Sequence, residues 1–137
     1  MKEHYIHVGQ AGVKYYYNDR AMTILHREDG PAVDNPNGDK YWYINNQLHR
    51  KGGPAIALAN GCEKWYWHGK LHRKGGPAIT FPSGATQYWF ENQLHREDGP
   101  AITGSYHTYS WYIHGKQMTE EEFNARNNSC EGKVVEV

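Results

Sequence analysis

Residues 48–70 read LHRKGGPAIALANGCEKWYWHGK, and residues 71–79 begin again with the same nine letters, LHRKGGPAI. The octet Leu-His-Arg-x-x-Gly-Pro-Ala starts at Leu25, Leu48, Leu71 and Leu94, a constant step of 23 residues. A fixed period of this size is the mark of a repeat architecture, in which each unit buries its apolar surface against its neighbours. Every copy then runs through a turn to an aromatic triplet: Trp42-Tyr43-Ile44, Trp65-Tyr66-Trp67, Tyr88-Trp89-Phe90 and Trp111-Tyr112-Ile113. Tyr15-Tyr16-Tyr17 fits as a half-copy, with four extra residues, Ala21 to Ile24, before Leu25.

Within one period the punctuation is that of β-hairpins. A β-prone pair follows each proline: Ala32-Val33, Ala55-Ile56, Ala78-Ile79 and Ala101-Ile102. Turn signals follow at Asn37-Gly38, Asn60-Gly61 and Ser83-Gly84, then the aromatic strand, then a second turn such as His68-Gly69 or His114-Gly115. Glycine and proline in every period exclude a helical array. The reading is all-β: an elongated, twisted antiparallel β-hairpin array of nine or ten strands. Its units are a half-copy at 12–24 and repeats at 25–47, 48–70, 71–93 and 94–116, within one domain spanning 1–126. After Lys116 the pattern stops. Thr119-Glu120-Glu121-Glu122 is a capping box, which predicts a short C-terminal capping helix over about 119–126, anchored by Phe123. Residues 127–137 read as a flexible tail.

Composition agrees with a ring-rich β domain. Leu, Ile, Val and Phe number only 21 of 137 residues, while 11 Tyr and 5 Trp supply apolar area. Fifteen basic residues balance fifteen acidic ones, which speaks against a strongly basic nucleic-acid binder. No apolar run is long enough for a membrane span. Cys62 and Cys130 make neither a disulfide framework nor a zinc site, so a cytoplasmic chain with two free thiols is expected.

Side chains alternate along a strand, so the triplet is sorted onto two faces. The first and third positions are assigned to the core. The middle position forms a ladder, Tyr16, Tyr43, Tyr66, Trp89 and Tyr112, on a more polar face. Two readings stand side by side: cross-strand stacking that stiffens the sheet, or an aromatic binding surface.

The segment Trp65-Tyr66-Trp67-His68-Gly69-Lys70-Leu71-His72-Arg73 resembles a MORN (membrane occupation and recognition nexus) repeat. The His-Arg-x-Asp-Gly-Pro-Ala variant, closed by a Thr-Glu-Glu-Glu-Phe helix, is similar to repeat proteins of bacteriophages and large DNA viruses. The resemblance covers residues 12–126. It implies one hairpin per repeat, a concave groove and a binding scaffold. HRxxGPA stands where a His-Gly-x-Gly stretch is usual, a departure that weakens any lipid-binding inference.

The most repeated polar pair is His26-Arg27, His49-Arg50, His72-Arg73 and His95-Arg96. Equivalent residues two strands apart lie ~10 Å from one another, too far to share a metal, so no metal or other cofactor is expected. The structural reading is that Arg bonds loop carbonyls or a carboxylate, with Asp29 and Asp98 as partners. Gly30, Gly53, Gly76 and Gly99 then supply special backbone angles. The outer loops read His-Arg-Glu-Asp and the inner ones His-Arg-Lys-Gly. His49, Arg50, Lys51, His72, Arg73 and Lys74 therefore form a cationic centre, a candidate seat for an anion or an acidic patch. No catalytic motif is present and repetition disfavours a single catalytic constellation, so the chain is read as a non-enzymatic binder. A host protein is the first partner expected, with inhibition of a defence factor as its effect. A small anionic or nucleotide-like ligand is the second, and anionic lipid the third. Dimerisation through an edge strand stays open.

Overall fold

The structure, a computed structural model, describes residues 4–126. The chain forms β1 (Tyr5–Val8) and β2 (Lys14–Tyr17), and then two hairpins in each period. These are β3 (Val33–Asp34) with β4 (Lys40–Tyr41) and β5 (Tyr43–Ile44) with β6 (Gln47–Leu48). The next copy gives β7 (Ile56–Ala57) with β8 (Glu63–Lys64) and β9 (Tyr66–Trp67) with β10 (Lys70–Leu71). The third gives β11 (Ile79–Thr80) with β12 (Thr86–Gln87) and β13 (Trp89–Phe90) with β14 (Gln93–Leu94). β15 (Ile102–Thr103), β16 (Tyr109–Ile113) and β17 (Lys116–Met118) complete the series.

One hairpin of each pair belongs to an antiparallel sheet of 11 strands, ordered β1-β2-β3-β4-β7-β8-β11-β12-β15-β16-β17. The other stands apart as a two-stranded ribbon, β5-β6, β9-β10 or β13-β14. Two hairpins per period, not one, correct the strand count read from the sequence.

The first triplet residue divides them. Trp42 lies between β4 and β5, where its N–H donates to Ala55 O (2.7 Å) and its carbonyl accepts the His49 N–H (3.1 Å). Trp65 repeats this with Ala78 and His72, and Tyr88 with Ala101 and His95. One backbone unit thus joins the main sheet to the next repeat and closes its own ribbon, and the ribbon leaves the main sheet there.

The same bonds reset the register of the half-copy. Tyr16 donates to Ala32 O and accepts from His26 N, so it is the counterpart of Trp42. Tyr17, bridged to Leu25 as Tyr43 is to Leu48, is the middle residue. The insertion before Leu25 is therefore one residue shorter than the sequence suggested, and Tyr16 leaves the ladder assigned to it. A one-residue slip reverses the face of every side chain. A further strand stands before residue 12: Tyr5 pairs with Tyr17 and Val8 with Lys14.

The core is not a column of rings. Among the described residues the fully enclosed ones are Ala32, Ala55, Ala78 and Ala101, each at 0% exposure, and no large side chain is completely buried. Neither the first nor the third triplet position is enclosed: Trp42, Ile44, Trp65, Tyr88 and Phe90 are half-buried, and Trp67 is 42% exposed. Rings make a half-buried layer beside a methyl-lined seam.

The two ends differ. Among the described residues β1 is an edge strand of the sheet, and it carries half-exposed Ile6 and Val8. Beyond β17 a helix covers 120–126, within the range read from the sequence. Thr119 is its N-cap: Glu122 N–H donates to Thr119 Oγ1 (3.1 Å) and Thr119 N–H to Glu122 Oε1 (3.0 Å). Phe123 is buried, and Arg126 reaches from the helix to Glu97 O (3.5 Å). The tail read at 127–137 lies outside the described residues.

Candidate functional site: the loop edge and its grooves

The ribbon turns Asn45-Asn46, His68-Gly69 and Glu91-Asn92, and the matching β16–β17 turn His114-Gly115, have positive φ at both central residues, the geometry that matches the twist of a two-residue hairpin. The first of each pair is a residue with a Cβ, held at φ 47–48°. Its N–H donates to a ladder histidine one repeat back. Asn45 N bonds His26 Nδ1 (3.0 Å), His68 N bonds His49 Nδ1 (2.9 Å), Glu91 N bonds His72 Nδ1 (3.0 Å) and His114 N bonds His95 Nδ1 (2.8 Å). A backbone donor on Nδ1 fixes the neutral tautomer with its proton on Nε2. Burial holds His49, His72 and His95 below the ordinary imidazole range, and His68 and His114 push His49 and His95 the same way. The histidines stitch each repeat to the next.

The arginines stitch each loop to its own ring. Arg27 lies over Tyr16, Arg50 over Trp42, Arg73 over Trp65 and Arg96 over Tyr88, with Cζ 3.8–4.0 Å from each centroid. Nη1 of each donates to the proline carbonyl four residues on, Pro31, Pro54, Pro77 or Pro100, at 3.1–3.2 Å. This bears out arginine as a loop-builder. It also explains the glycine before each proline. Gly30, Gly53, Gly76 and Gly99 do not have positive φ, which corrects the expectation of special backbone angles. They make room: a Cβ at Gly53 would lie 2.7 Å from Arg50 Cζ.

Outer and inner loops then diverge. Asp29 accepts from Arg27 Nε (3.1 Å) and Asp98 from Arg96 Nε (2.9 Å). Arg27 holds the Asp29 carboxyl below its usual value. Glu28 and Glu97 approach Nε2 of His26 and His95 at 3.3 and 3.5 Å. The inner loops have Lys51-Gly52 and Lys74-Gly75 instead, and both glycines adopt positive φ.

Consecutive loops enclose grooves, so the loops do line one edge. The first is bounded by Arg27–Gly30 and His49–Lys51 over Trp42 and Ile44. The second, about 400 Å³, gathers Arg50, Arg73 and Lys74 around Trp65, Trp67 and Phe90, with Glu91 at its rim. The third lies between Arg73–Gly76 and His95–Asp98 over Tyr88 and Phe90. The six inner-loop residues singled out from the sequence thus border the grooves. Of the middle-position ladder only Tyr66 reaches one; Tyr43, Trp89 and Tyr112 line none of the three. The floors are made instead by first- and third-position rings, which the sequence reading had assigned to the core. The signal for them was the constant eight-residue step from Trp42 to Arg50, Trp65 to Arg73 and Tyr88 to Arg96.

Among the described residues no His, Cys, Asp or Glu cluster of metal-binding geometry occurs, and no helix is long and apolar enough to cross a membrane. No family model, curated protein or solved structure matches the chain.

Proposed function

We propose that this chain is a non-catalytic binding scaffold that engages another protein through its loop edge. The resemblance to bacteriophage and large-DNA-virus repeats makes a host protein the partner, with inhibition of a defence factor as the consequence. The observation that carries this reading is the series of grooves, each floored by rings and walled by a fixed guanidinium. Rigid aromatic and arginine side chains dominate binding hot spots, and here the same pair recurs along one edge. A repeated arrangement suits an extended partner surface better than a single small reactant.

The test is capture of a host protein from lysate by the tagged chain, compared with a chain carrying Lys51→Glu and Lys74→Glu. A stable complex with the native chain, weakened in the variant, supports the reading. Absence of any complex with either removes it. A second reading, capture of a small anionic or nucleotide-like ligand, is favoured by the middle groove alone, whose lining joins three cationic side chains and one carboxylate with two tryptophans. It predicts a rise in melting temperature with ATP or inorganic phosphate, by mass action.

A further inference from the structure

The four loops share one framework and differ at two positions. In the outer loops the His-Arg donors are closed by the loop's own acidic pair: Glu28 and Asp29 on His26 and Arg27, Glu97 and Asp98 on His95 and Arg96. In the inner loops the histidine and arginine keep the same anchoring bonds, while the backbone turns left-handed at Gly52 and Gly75. His49 and His72 still accept a backbone N–H at Nδ1, leaving Nε2–H as a donor. Arg50 and Arg73 still use Nη1 on a proline carbonyl and sit over a ring. Yet among the described residues no carboxylate lies within ion-pair distance of these four side chains. The nearest acidic influences are Glu63 on Arg50 and Glu91 on His72. Where the acidic pair would stand are Lys51-Gly52 and Lys74-Gly75; a Cβ at either glycine would meet nothing within 4 Å, and the cost of an aspartate there is the left-handed backbone, φ +80° and +82°.

We infer that the two inner loops receive acidic side chains from a partner protein in the way the outer loops receive their own, one carboxylate on the histidine Nε2–H and one on the arginine Nε–H. This rests on the scaffold reading and names the partner's chemistry. Charge-assisted bonds to a preset guanidinium are strong and directional, and Lys51 and Lys74 add attraction at longer range. Equivalent loops lie two strands apart, ~10 Å, and an extended peptide advances ~3.3 Å per residue. The partner segment therefore presents acidic pairs three residues apart, as in Glu-Asp-x-Glu-Asp.

The experiment is a fluorescence-anisotropy titration with labelled Glu-Asp-Gly-Glu-Asp, beside a peptide of the same charge with the two pairs separated by six glycines. It compares the native chain with one carrying Lys51→Glu, Gly52→Asp, Lys74→Glu and Gly75→Asp, which writes the outer sequence into both inner loops. The native chain binds the compact peptide saturably and in a salt-sensitive way. Rewritten loops or the wide spacing weaken binding about tenfold or more. If the rewritten chain fails a thermal-melt check, Lys51→Glu with Lys74→Glu alone serves, with the same direction expected. No binding by the native chain, or equal binding by the rewritten one, overturns the assignment. So does tighter binding of ATP or inorganic phosphate than of the peptide, which would make the ligand a free anion. Equal capture of a host protein by native and rewritten chains overturns it while leaving the scaffold reading standing.

Discussion

Cζ of Arg73 lies 3.8 Å from the centre of the Trp65 ring while its Nη1 donates to Pro77 O at 3.1 Å. One side chain thereby fastens a ring, a loop and the start of the next strand. Arg73→Lys keeps the charge but loses the planar fork. It is expected to lower stability by about 1–2 kcal/mol, read as a lower urea midpoint with an unchanged m-value. An unaltered midpoint would show that the stack contributes nothing.

The space for that arginine is set by Gly76. A Cβ there would sit 2.8 Å from Arg73 Cζ, so Gly76→Ala forces the guanidinium off its ring at a cost of about 1–3 kcal/mol. The cost should shrink in an Arg73→Ala background, because the clash then disappears. A double-mutant cycle measures the coupling; additive effects would place the strain elsewhere.

The histidine ladder makes stability depend on pH. His49, His72 and His95 have depressed values in the fold because burial disfavours the imidazolium, with Lys74 acting with burial on His72 and Glu91 and Glu97 partly opposing it on His72 and His95. The unfolded chain therefore takes up protons first. Stability is full above the ordinary histidine value of 6.5 and falls as the pH drops below it. Protonation also turns the Nδ1 acceptor into a donor facing a backbone N–H. Chemical unfolding between pH 7.5 and 5 should show the midpoint falling. Asn at positions 49, 72 and 95, with an amide oxygen as acceptor, should flatten the curve.

The alanine seam is intolerant of size. Ala78 is wholly enclosed and its carbonyl accepts the Trp65 N–H at 2.7 Å. Ala78→Val is expected to cost about 1–3 kcal/mol by overpacking, measured by thermal melting. The same change at Ala59, which is exposed, should be nearly silent.

Much of this fold was legible because its devices are local. The 23-residue step, the turn dipeptides and the Thr119–Glu122 box each act over a few residues, and all three appear where the sequence puts them. What escaped the reading was decided by contacts between segments. A strand interrupted at Trp42, which bonds the next repeat on one side and its own ribbon on the other, looks in one dimension like a single aromatic strand, so the face carrying its first and third side chains was taken for the core and not for a groove floor. β1 shows no repeat signature at all; Tyr5–Val8 is a strand because Lys14–Tyr17 gives it a partner. The role of Gly53 was hidden for the same reason, since its neighbour in space is the Arg50 side chain rather than an unusual backbone angle. The inner–outer loop contrast was visible as charge, but its geometric meaning depended on the bonds made by Asp29 and Asp98.

Each loop is tied to the ring beneath it and to the ribbon of the following repeat, and four loops enclose three grooves. Footprint is thus proportional to copy number. Insertion of one further period would lengthen the edge by ~10 Å and add one more berth without disturbing those already present. The shared nine letters at 48–56 and 71–79 are what whole-unit duplication leaves behind. In such a molecule valency is inherited as length, and recombination within the gene is enough to retune how much of a target it can span.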